Sequence, residues 1–357
     1  MKILQVIPYF CFGGAETMCE NLTYALSSLG HEVCVVSLYD EPTPISARME
    51  KNGVRILYLD KKLGMDVSMV PKLMKIMKQE QPDVVHTHLD VVKYAALAAK
   101  LTGIRRCVHT VHNVAHMEAE GLARKINKVY FRTGLAVPVA LNPLVQKTIC
   151  EVYGLLEDMV PVVYNGVDLS RCLEKTDYRP NNPMTLVHIG RFNEQKNHAG
   201  LLEAFRLLLE QAPNCRLNLL GDGELLEPMR QLAREKGIAD KVFFLGSQSN
   251  VHPYLQEADL FVLPSNYEGM PMTIIEAMGT GLPIVATDVG GVADMVTDGE
   301  SALLTPVDAA AVSAACARLV SDEDLRRKLG RKALEDSRRF SAEYMAKAYC
   351  ALYGARV

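Results

Sequence analysis

Asp259-Leu-Phe-Val-Leu-Pro-Ser-Asn-Tyr-Glu268-Gly-Met-Pro-Met-Thr-Ile-Ile-Glu276 runs an apolar strand into a helix through a short polar loop and sets two glutamates eight residues apart. The unbroken run Leu260 to Leu263 suits a parallel strand buried on both faces, and Met272 to about Gly279 continues as helix. Glu268 then belongs to the loop and Glu276 lies one turn into the helix. The first amides of a helix have no intrahelical acceptor and sit at the positive end of its dipole, so those of Met272 and Thr273 favour an anion between the two carboxylates. Carboxylates beside an anion site accept hydroxyls. A sugar nucleotide, with phosphates and hydroxyls together, fits this chemistry better than a bare phosphate.

The same strand-to-helix grammar recurs along the chain. Short runs of Val, Ile and Leu alternate with helical patterns, the signature of βαβ units on parallel sheets. Strands are predicted near 2–7, 32–37, 54–59, 84–87, 106–111, 135–141 and 160–163, and a second series near 184–189, 215–220, 241–245, 259–263, 283–286 and 302–305. Between the series, Asp168-Leu-Ser-Arg-Cys-Leu-Glu-Lys-Thr-Asp-Tyr-Arg-Pro-Asn-Asn-Pro183 is polar, carries prolines and has no period, which marks a boundary. The expected organisation is one Rossmann-like α/β domain over 1–168 and another over 169–340, with the helical pattern 341–357 crossing back onto the first. No internal repeat or low-complexity segment is evident.

The 357 residues are 49% hydrophobic, enough for two cores. Thirty-nine basic against 42 acidic residues leave a net charge of −3, which gives no support to nucleic-acid binding. Nine cysteines without CxxC spacing read as reduced, mostly buried thiols of a cytosolic protein; Cys11 and Cys19, flanking the first glycine loop, read as packing residues. Met1-Lys-Ile-Leu-Gln-Val-Ile7 is too brief for the apolar core of a signal peptide, and no apolar stretch reaches spanning length. The expected location is cytoplasmic, any membrane contact is peripheral, and the sequon at Asn21 is idle.

After the first strand, Phe12-Gly-Gly-Ala-Glu16 enters a helix with apolar Met18, Leu22, Ala25, Leu26 and Leu29. Paired glycines let backbone approach a ligand, and the helix start offers donors; taken alone, the loop is equally well a tight turn. The second half opens with Leu186-Val-His-Ile-Gly190-Arg191-Phe-Asn-Glu-Gln-Lys196-Asn-His198. Its Arg191 and Lys196 lie at the carboxyl end of a strand, where open α/β sheets hold ligands, and two cations suit a diphosphate. His112 ends the strand Cys107 to Val111, within reach of a sugar hydroxyl, although a half-buried strand-end histidine is the plainer reading of the residue alone. His86 and His88 share a strand face without a third ligand and read as structural, so no metal site is expected. Asp222 caps the helix that follows or sits near the ligand, the cap being the plainer reading. Asp322-Glu-Asp324 satisfies the DxD pattern of metal-dependent sugar transferases but opens a charged helix, where acids suit the N-terminus.

In combination these residues make the chain resemble the retaining GT-B glycosyltransferases of family 4, which carry an E-x7-E motif, over essentially its whole length. The resemblance rests on Gly13-Gly-Ala-Glu16, His112 within Thr110-Val-His-Asn113, Tyr164-Asn-Gly-Val-Asp168, Gly190-Arg191 with Lys196, Ser265 through Glu268 to Glu276-Ala-Met-Gly279, Gly281-Leu-Pro-Ile-Val-Ala-Thr287 and Gly290-Gly291. It implies the GT-B fold, two Rossmann-like domains with parallel sheets facing a central cleft, the first on the acceptor side and the second binding the donor. It further implies that Glu276 binds the ribose hydroxyls and Glu268 the donor hexose. Arg191 and Lys196 would hold the diphosphate, helped by Gly14 and by backbone along Gly269, Met270, Met272 and Thr273, with His112 beside the transferred sugar. The implied catalytic set is His112, Glu268, Arg191 and Lys196. One departure stands out: Asn197-His198 follows the lysine where the family often has a small residue or glycine.

The implied reaction moves a hexose from a nucleotide diphosphate sugar, most commonly a uridine one, to an acceptor hydroxyl, keeping the anomeric configuration and using no divalent metal or other cofactor. A sugar-nucleotide epimerase of the same fold and a noncatalytic bilobal sugar-binding protein are the alternatives. The first would rearrange a donor without an acceptor; against the second stand the paired cations and the lack of a signal segment. Gly121 to Cys150 holds Arg124, Lys125, Lys128, Arg132 and Lys147 and no acid, a basic amphipathic stretch that suits an anionic lipid surface and equally a solvated helix face. A lipid-linked glycan in surface-polysaccharide assembly and a soluble small molecule both stand as acceptors.

Overall fold

Strands that run parallel need a crossover to return the chain to the same end of the sheet, and here amphipathic helices supply it. The computed structural model describes residues 1–10 and 13–354, so Cys11, Phe12 and the last three positions of the predicted C-terminal helix lie outside the described residues. The chain forms two units: Met1–Gly166 with the C-terminal segment from Ala342, and Val167–Ser341. The first runs β1 (Lys2–Ile7), α1 (Gly14–Ser28), β2 (Glu32–Ser37), α2 (Pro44–Lys51), β3 (Arg55–Tyr58), α3 (Met69–Glu80), β4 (Val84–His88), α4 (Val92–Thr102), β5 (Arg106–Val111), α5 (Ala115–Glu118), α6 (Gly121–Arg132), β6 (Val137–Ala140) and α7 (Pro143–Tyr153). The second runs β7 (Met184–Ile189), α8 (His198–Gln211), β8 (Cys215–Leu220), α9 (Leu226–Glu235), β9 (Val242–Gly246), α10 (His252–Glu257), β10 (Leu260–Leu263), α11 (Met272–Thr280), β11 (Ile284–Thr287), β12 (Leu303–Thr305), α12 (Ala309–Ser321) and α13 (Glu323–Ser337).

Both six-stranded sheets are parallel, in the orders β3-β2-β1-β4-β5-β6 and β12-β11-β10-β7-β8-β9. Counted from the first strand of its own unit, each follows 3-2-1-4-5-6, the doubly wound order. The direction of winding reverses between the first and fourth strands, the place where open sheets of this order bind ligands at the carboxyl ends of the strands. In one unit the pair is β1 and β4, in the other β7 and β10.

Parallel sheets covered by helices on both faces bury their strands whole: β4, β7, β10 and β11 are buried along their whole length, the polar His86, Thr87 and His88 of β4 included. In the first unit Leu4, Val36 and Val85 pack with Leu73, Ala95, Phe131 and Ile149; in the second Leu186, Leu217 and Val262 pack with Leu201, Phe205 and Leu319. Each such side chain contributes roughly 1.5–3 kcal/mol by leaving water.

Two segments depart from the sequence reading. Residues 160–163 add no further strand; one bridge joins Val162 to Ala140, because Pro161 has no N–H to extend the ladder. The aperiodic stretch 168–183 packs on the second unit through one aromatic anchor. Tyr178 is buried, its hydroxyl donates to the Gly281 carbonyl at 3.0 Å, and the Arg326 guanidinium donates to its own carbonyl at 3.1 and 2.9 Å.

The C-terminal helix α14 (Ala342–Tyr353) packs against α1 in the first unit. The Tyr353 hydroxyl meets His86 Nδ1 at 2.6 Å, the Tyr349 hydroxyl meets Thr110 Oγ1 at 2.7 Å, and His86 Nε2 meets the same threonine at 2.8 Å. Both nitrogens of His86 are thereby used in holding α14 to β4 and β5.

Candidate functional site

In the second unit, β7 delivers Gly190-Arg191 and a single turn over Glu194–Lys196, while β10 delivers the loop 264–271 and then α11. Asn266 joins the two loops, its amide donating to the Gln195 carbonyl at 2.8 Å and its side chain to the Glu194 carbonyl at 2.7 Å. The loop after β11 presses against this one at Gly290, where φ is +57° and a Cβ would lie 1.8 Å from the Glu268 carbonyl oxygen. Only glycine tolerates both the left-handed backbone and that approach.

Lys196 and Glu268 form an ion pair, Nζ to Oε1 2.6 Å, with side chains only 15% and 4% exposed. The Ser265 hydroxyl donates to the same oxygen at 2.6 Å and Gln195 Nε2 to Oε2 at 3.2 Å. A buried carboxylate is tolerated when its charge is paired and its lone pairs are used, as here. Gln195 and the role of Ser265 escaped the sequence reading, since nothing in the spacing says that two residues about seventy positions apart donate to one carboxylate. Arg191 faces solvent, 65% exposed, its nearest carboxylate being Glu224 at 3.5 Å.

Helix α11 starts without a side-chain cap. Pro271 cannot supply one; its carbonyl takes the Ile274 amide at 3.1 Å, and the amides of Met272 and Thr273 have no acceptor among the described residues. The Thr273 hydroxyl is likewise buried without a partner. Glu276, in the next turn, makes no ion pair among the described residues, and burial pushes its carboxyl up to about 7 against the opposing pull of Arg171. Gly269 and Met270 lie in the loop between Glu268 and α11.

Asn197, the departure after the lysine, adopts φ 50° and ψ 47°. Glycine enters that left-handed region most easily and asparagine next, which accounts for the residue found here. Its side chain also accepts the Gly200 amide at 3.1 Å as the cap of α8 and donates to the Pro264 carbonyl at 3.0 Å. His198 is buried and stacked on Phe192 with ring centroids 3.9 Å apart. Asp222 is not a helix cap: α9 begins only at Leu226, and Asp222 Oδ1 accepts the Gly223 amide at 2.7 Å. Asp322 caps α13 through the Leu325 amide at 2.9 Å, and Asp324 pairs with Arg327 at 2.9 Å.

In the first unit, Gly14 opens α1 behind an extended Gly13. His112 follows β5, half-buried, with Nε2 3.1 Å from His88 Nδ1, and burial pushes its imidazole down to about 3. Gly14 and His112 belong to this unit, and the remaining expected site residues to the second.

Residues 12–171 match the family described as Glycosyltransferase Family 4, and residues 174–336 the family described as Glycosyl transferases group 1. N-acetyl-alpha-D-glucosaminyl L-malate synthase of Bacillus anthracis is 25% identical over 99% of this chain and 97% of its own. The UDP-Gal:alpha-D-GlcNAc-diphosphoundecaprenol alpha-1,3-galactosyltransferase of Escherichia coli is 30% identical over 63% of each chain. HepE of Anabaena, solved in complex with UDP and glucose, matches with a TM-score of 0.85 at 19% identity, covering 99% of each chain, a likeness of fold.

Proposed function

We infer the reaction from one premise: this chain belongs to the GT-B glycosyltransferases of family 4. The proposed reaction carries a hexose from a uridine diphosphate sugar to an acceptor hydroxyl, retaining the anomeric configuration and needing no divalent ion. The observation that carries the reading is the uncapped start of α11. Two amides without acceptors and an orphaned Thr273 hydroxyl stand there, between one carboxylate paired with a lysine and another pushed up by burial. Phosphate oxygens satisfy those donors, and sugar hydroxyls satisfy the carboxylates.

In this reading Arg191 and Lys196 hold the diphosphate and stabilise the charge that grows on the leaving group, donors fixed in place before the reaction. Glu276 takes the ribose hydroxyls and Glu268 those of the hexose, with the backbone of Gly14, Gly269 and Met270 beside the phosphates and sugar, and His112 contacting the transferred sugar. Glu268 already accepts from Lys196, Ser265 and Gln195, which suits hydroxyl recognition rather than attack on the anomeric carbon. Departure and attack then share one face of the sugar. Uridine is supported by the Escherichia coli relative, named for UDP-Gal, and by the UDP bound to Anabaena HepE.

A lipid-linked glycan is the proposed acceptor. Its support is the diphosphoundecaprenol in the name of the Escherichia coli relative and the surface of α6, where Leu122 and Val129 are 58% and 57% exposed on a helix that carries Arg124, Lys125, Lys128 and Arg132. No described helix is long and apolar enough to cross a membrane, so the contact would be peripheral. Failure to bind anionic liposomes at low salt would remove this part.

A panel of nucleotide sugars in EDTA, with products followed by NMR, tests the whole. Transfer or slow hydrolysis of one uridine diphosphate hexose with retained configuration is expected. Inversion, activity restored only by Mn²⁺ or Mg²⁺, or an epimerised donor with no acceptor would overturn it.

A further inference from the structure

We propose that His88 and Gln5 are positioning residues for His112: a buried relay anchored on Thr23 of α1 holds His112 in the tautomer protonated at Nε2 and leaves Nδ1 as a bare acceptor for a donor-sugar hydroxyl. The use of that acceptor rests on the reading of His112 as the side chain beside the transferred sugar; the relay itself does not.

The polarity can be followed outward from α1. The Thr23 hydroxyl donates to the Cys19 carbonyl at 2.7 Å, so its oxygen is left to accept, and Gln5 Nε2 donates to it at 2.7 Å. That orients the Gln5 amide. Its carbonyl oxygen turns the other way and receives two donors, the Cys19 thiol at 3.4 Å and His88 Nε2 at 2.9 Å. A burial-raised thiol, pushed well above its ordinary range, keeps the proton it donates. His88, protonated at Nε2, has a bare Nδ1, and His112 Nε2 lies 3.1 Å from it. Two neutral imidazoles share that contact only if one nitrogen donates and the other accepts, so His112 carries its proton on Nε2.

The reverse polarity would need Thr23 to give up the Cys19 carbonyl and point its proton at the Gln5 oxygen. Gln5, Thr23 and His88 are fully buried, so no water competes along the path. Burial also holds both rings neutral: His88 is pushed well below the ordinary histidine range and His112 with it. His86, whose ring lies 4.3 Å from that of His88, is no rival partner, since Tyr353 and Thr110 occupy both its nitrogens. Among the described residues His112 Nδ1 has no hydrogen-bond partner. A neutral histidine recognises a hydroxyl through whichever nitrogen it presents, and a ring free to change tautomer would present an acceptor only part of the time.

Long-range ¹H–¹⁵N correlation spectra of ligand-free protein labelled with [¹⁵N]histidine, with His112 assigned through His112→Gln, read the tautomer directly. Protonated Nε2 and bare Nδ1 at neutral pH are expected; the opposite tautomer or an even mixture overturns the relay, whatever any variant does. In His88→Phe the His112 signals should become a mixture, and kcat for donor turnover should fall about tenfold or more, the order seen when the group orienting an active-site side chain is lost. KM for the donor should move less, because the phosphate and ribose contacts are elsewhere. His88→Gln, whose amide can donate to Gln5 and accept from His112, should restore both tautomer and kcat. A His88→Phe protein with unchanged tautomer, or a His88→Gln protein as impaired as His88→Phe, overturns the proposal. Wild-type protein with the expected tautomer but no turnover of any nucleotide sugar would support the relay and sink the donor reading instead.

Discussion

Glu268 and Glu276 lie two helical turns apart in sequence yet answer differently to the loss of a charge. Lys196→Ala leaves an ionised Glu268 in a buried place, a loss on the order of 3 kcal/mol in stability in addition to the loss of donor turnover. Glu268→Gln no longer needs the cation. Urea melts of the single and double variants should therefore show Lys196→Ala/Glu268→Gln less destabilised than the sum of the two; simple additivity would show that the pair is not coupled. Among the described residues Glu276 makes no such ion pair. Its carboxyl titrates near 4.5 when unfolded and at about 7 when folded, so its ionised form opposes folding. The penalty is absent below pH 4.5, grows up to pH 7 and is complete above it. Glu276→Gln should stabilise the ligand-free protein by roughly 1–3 kcal/mol at pH 8 and by almost nothing at pH 4, while weakening nucleotide binding. Equal melting temperatures for Glu276→Gln and wild type at pH 8 would contradict the burial of this carboxyl.

At the scale of elements, the strand-loop-helix passage through Glu268 and Glu276 was legible because apolar runs and helical periods follow from backbone geometry. Its neighbours were less so. Partners such as Ser265 and Gln195 on one carboxylate, or Gln5 behind two histidines, depend on which strand ends meet in three dimensions, and spacing carries no record of that. Asp222 looked like a cap because an acid near a helix start usually is one; here α9 begins three residues later than such a cap requires. The segment 160–163 looked like a strand because its composition is right, and its proline withholds the ladder. Gly290 is where the loop after β11 packs on the Glu268 loop. Gly290→Ala must strain a left-handed backbone, about 1–2 kcal/mol by itself, and also push against the Glu268 carbonyl. Binding of a uridine diphosphate hexose followed by calorimetry should weaken at least about tenfold, the equivalent of 1.4 kcal/mol. Unimpaired binding of the uridine diphosphate hexose would show that the loop after β11 does not set the place of Glu268.

At the scale of the whole molecule, both sheets share the order 3-2-1-4-5-6, although no repeat is visible in the sequence. A sheet order needs only the right apolar periods and crossovers, which many unrelated residues satisfy. Helix α14 belongs to the first unit across more than 170 intervening residues, and polar contacts made by Tyr349 and Tyr353 fix it there. Tyr353→Phe should cost about 1–3 kcal/mol in the thermal unfolding of that unit, since it leaves His86 Nδ1 buried without a partner; a variant as stable as wild type would show the contact to be dispensable. The placing of the donor on the second unit is tested most directly by measuring turnover of a uridine diphosphate hexose in EDTA by wild type, Arg191→Ala and Glu276→Ala. The result expected is robust metal-free turnover by wild type, with kcat/KM reduced at least about a hundredfold in Arg191→Ala, the scale of losing a transition-state charge contact, and reduced in Glu276→Ala chiefly through a raised KM for the donor as its ribose contact is lost. Near-wild-type turnover in both variants would contradict it.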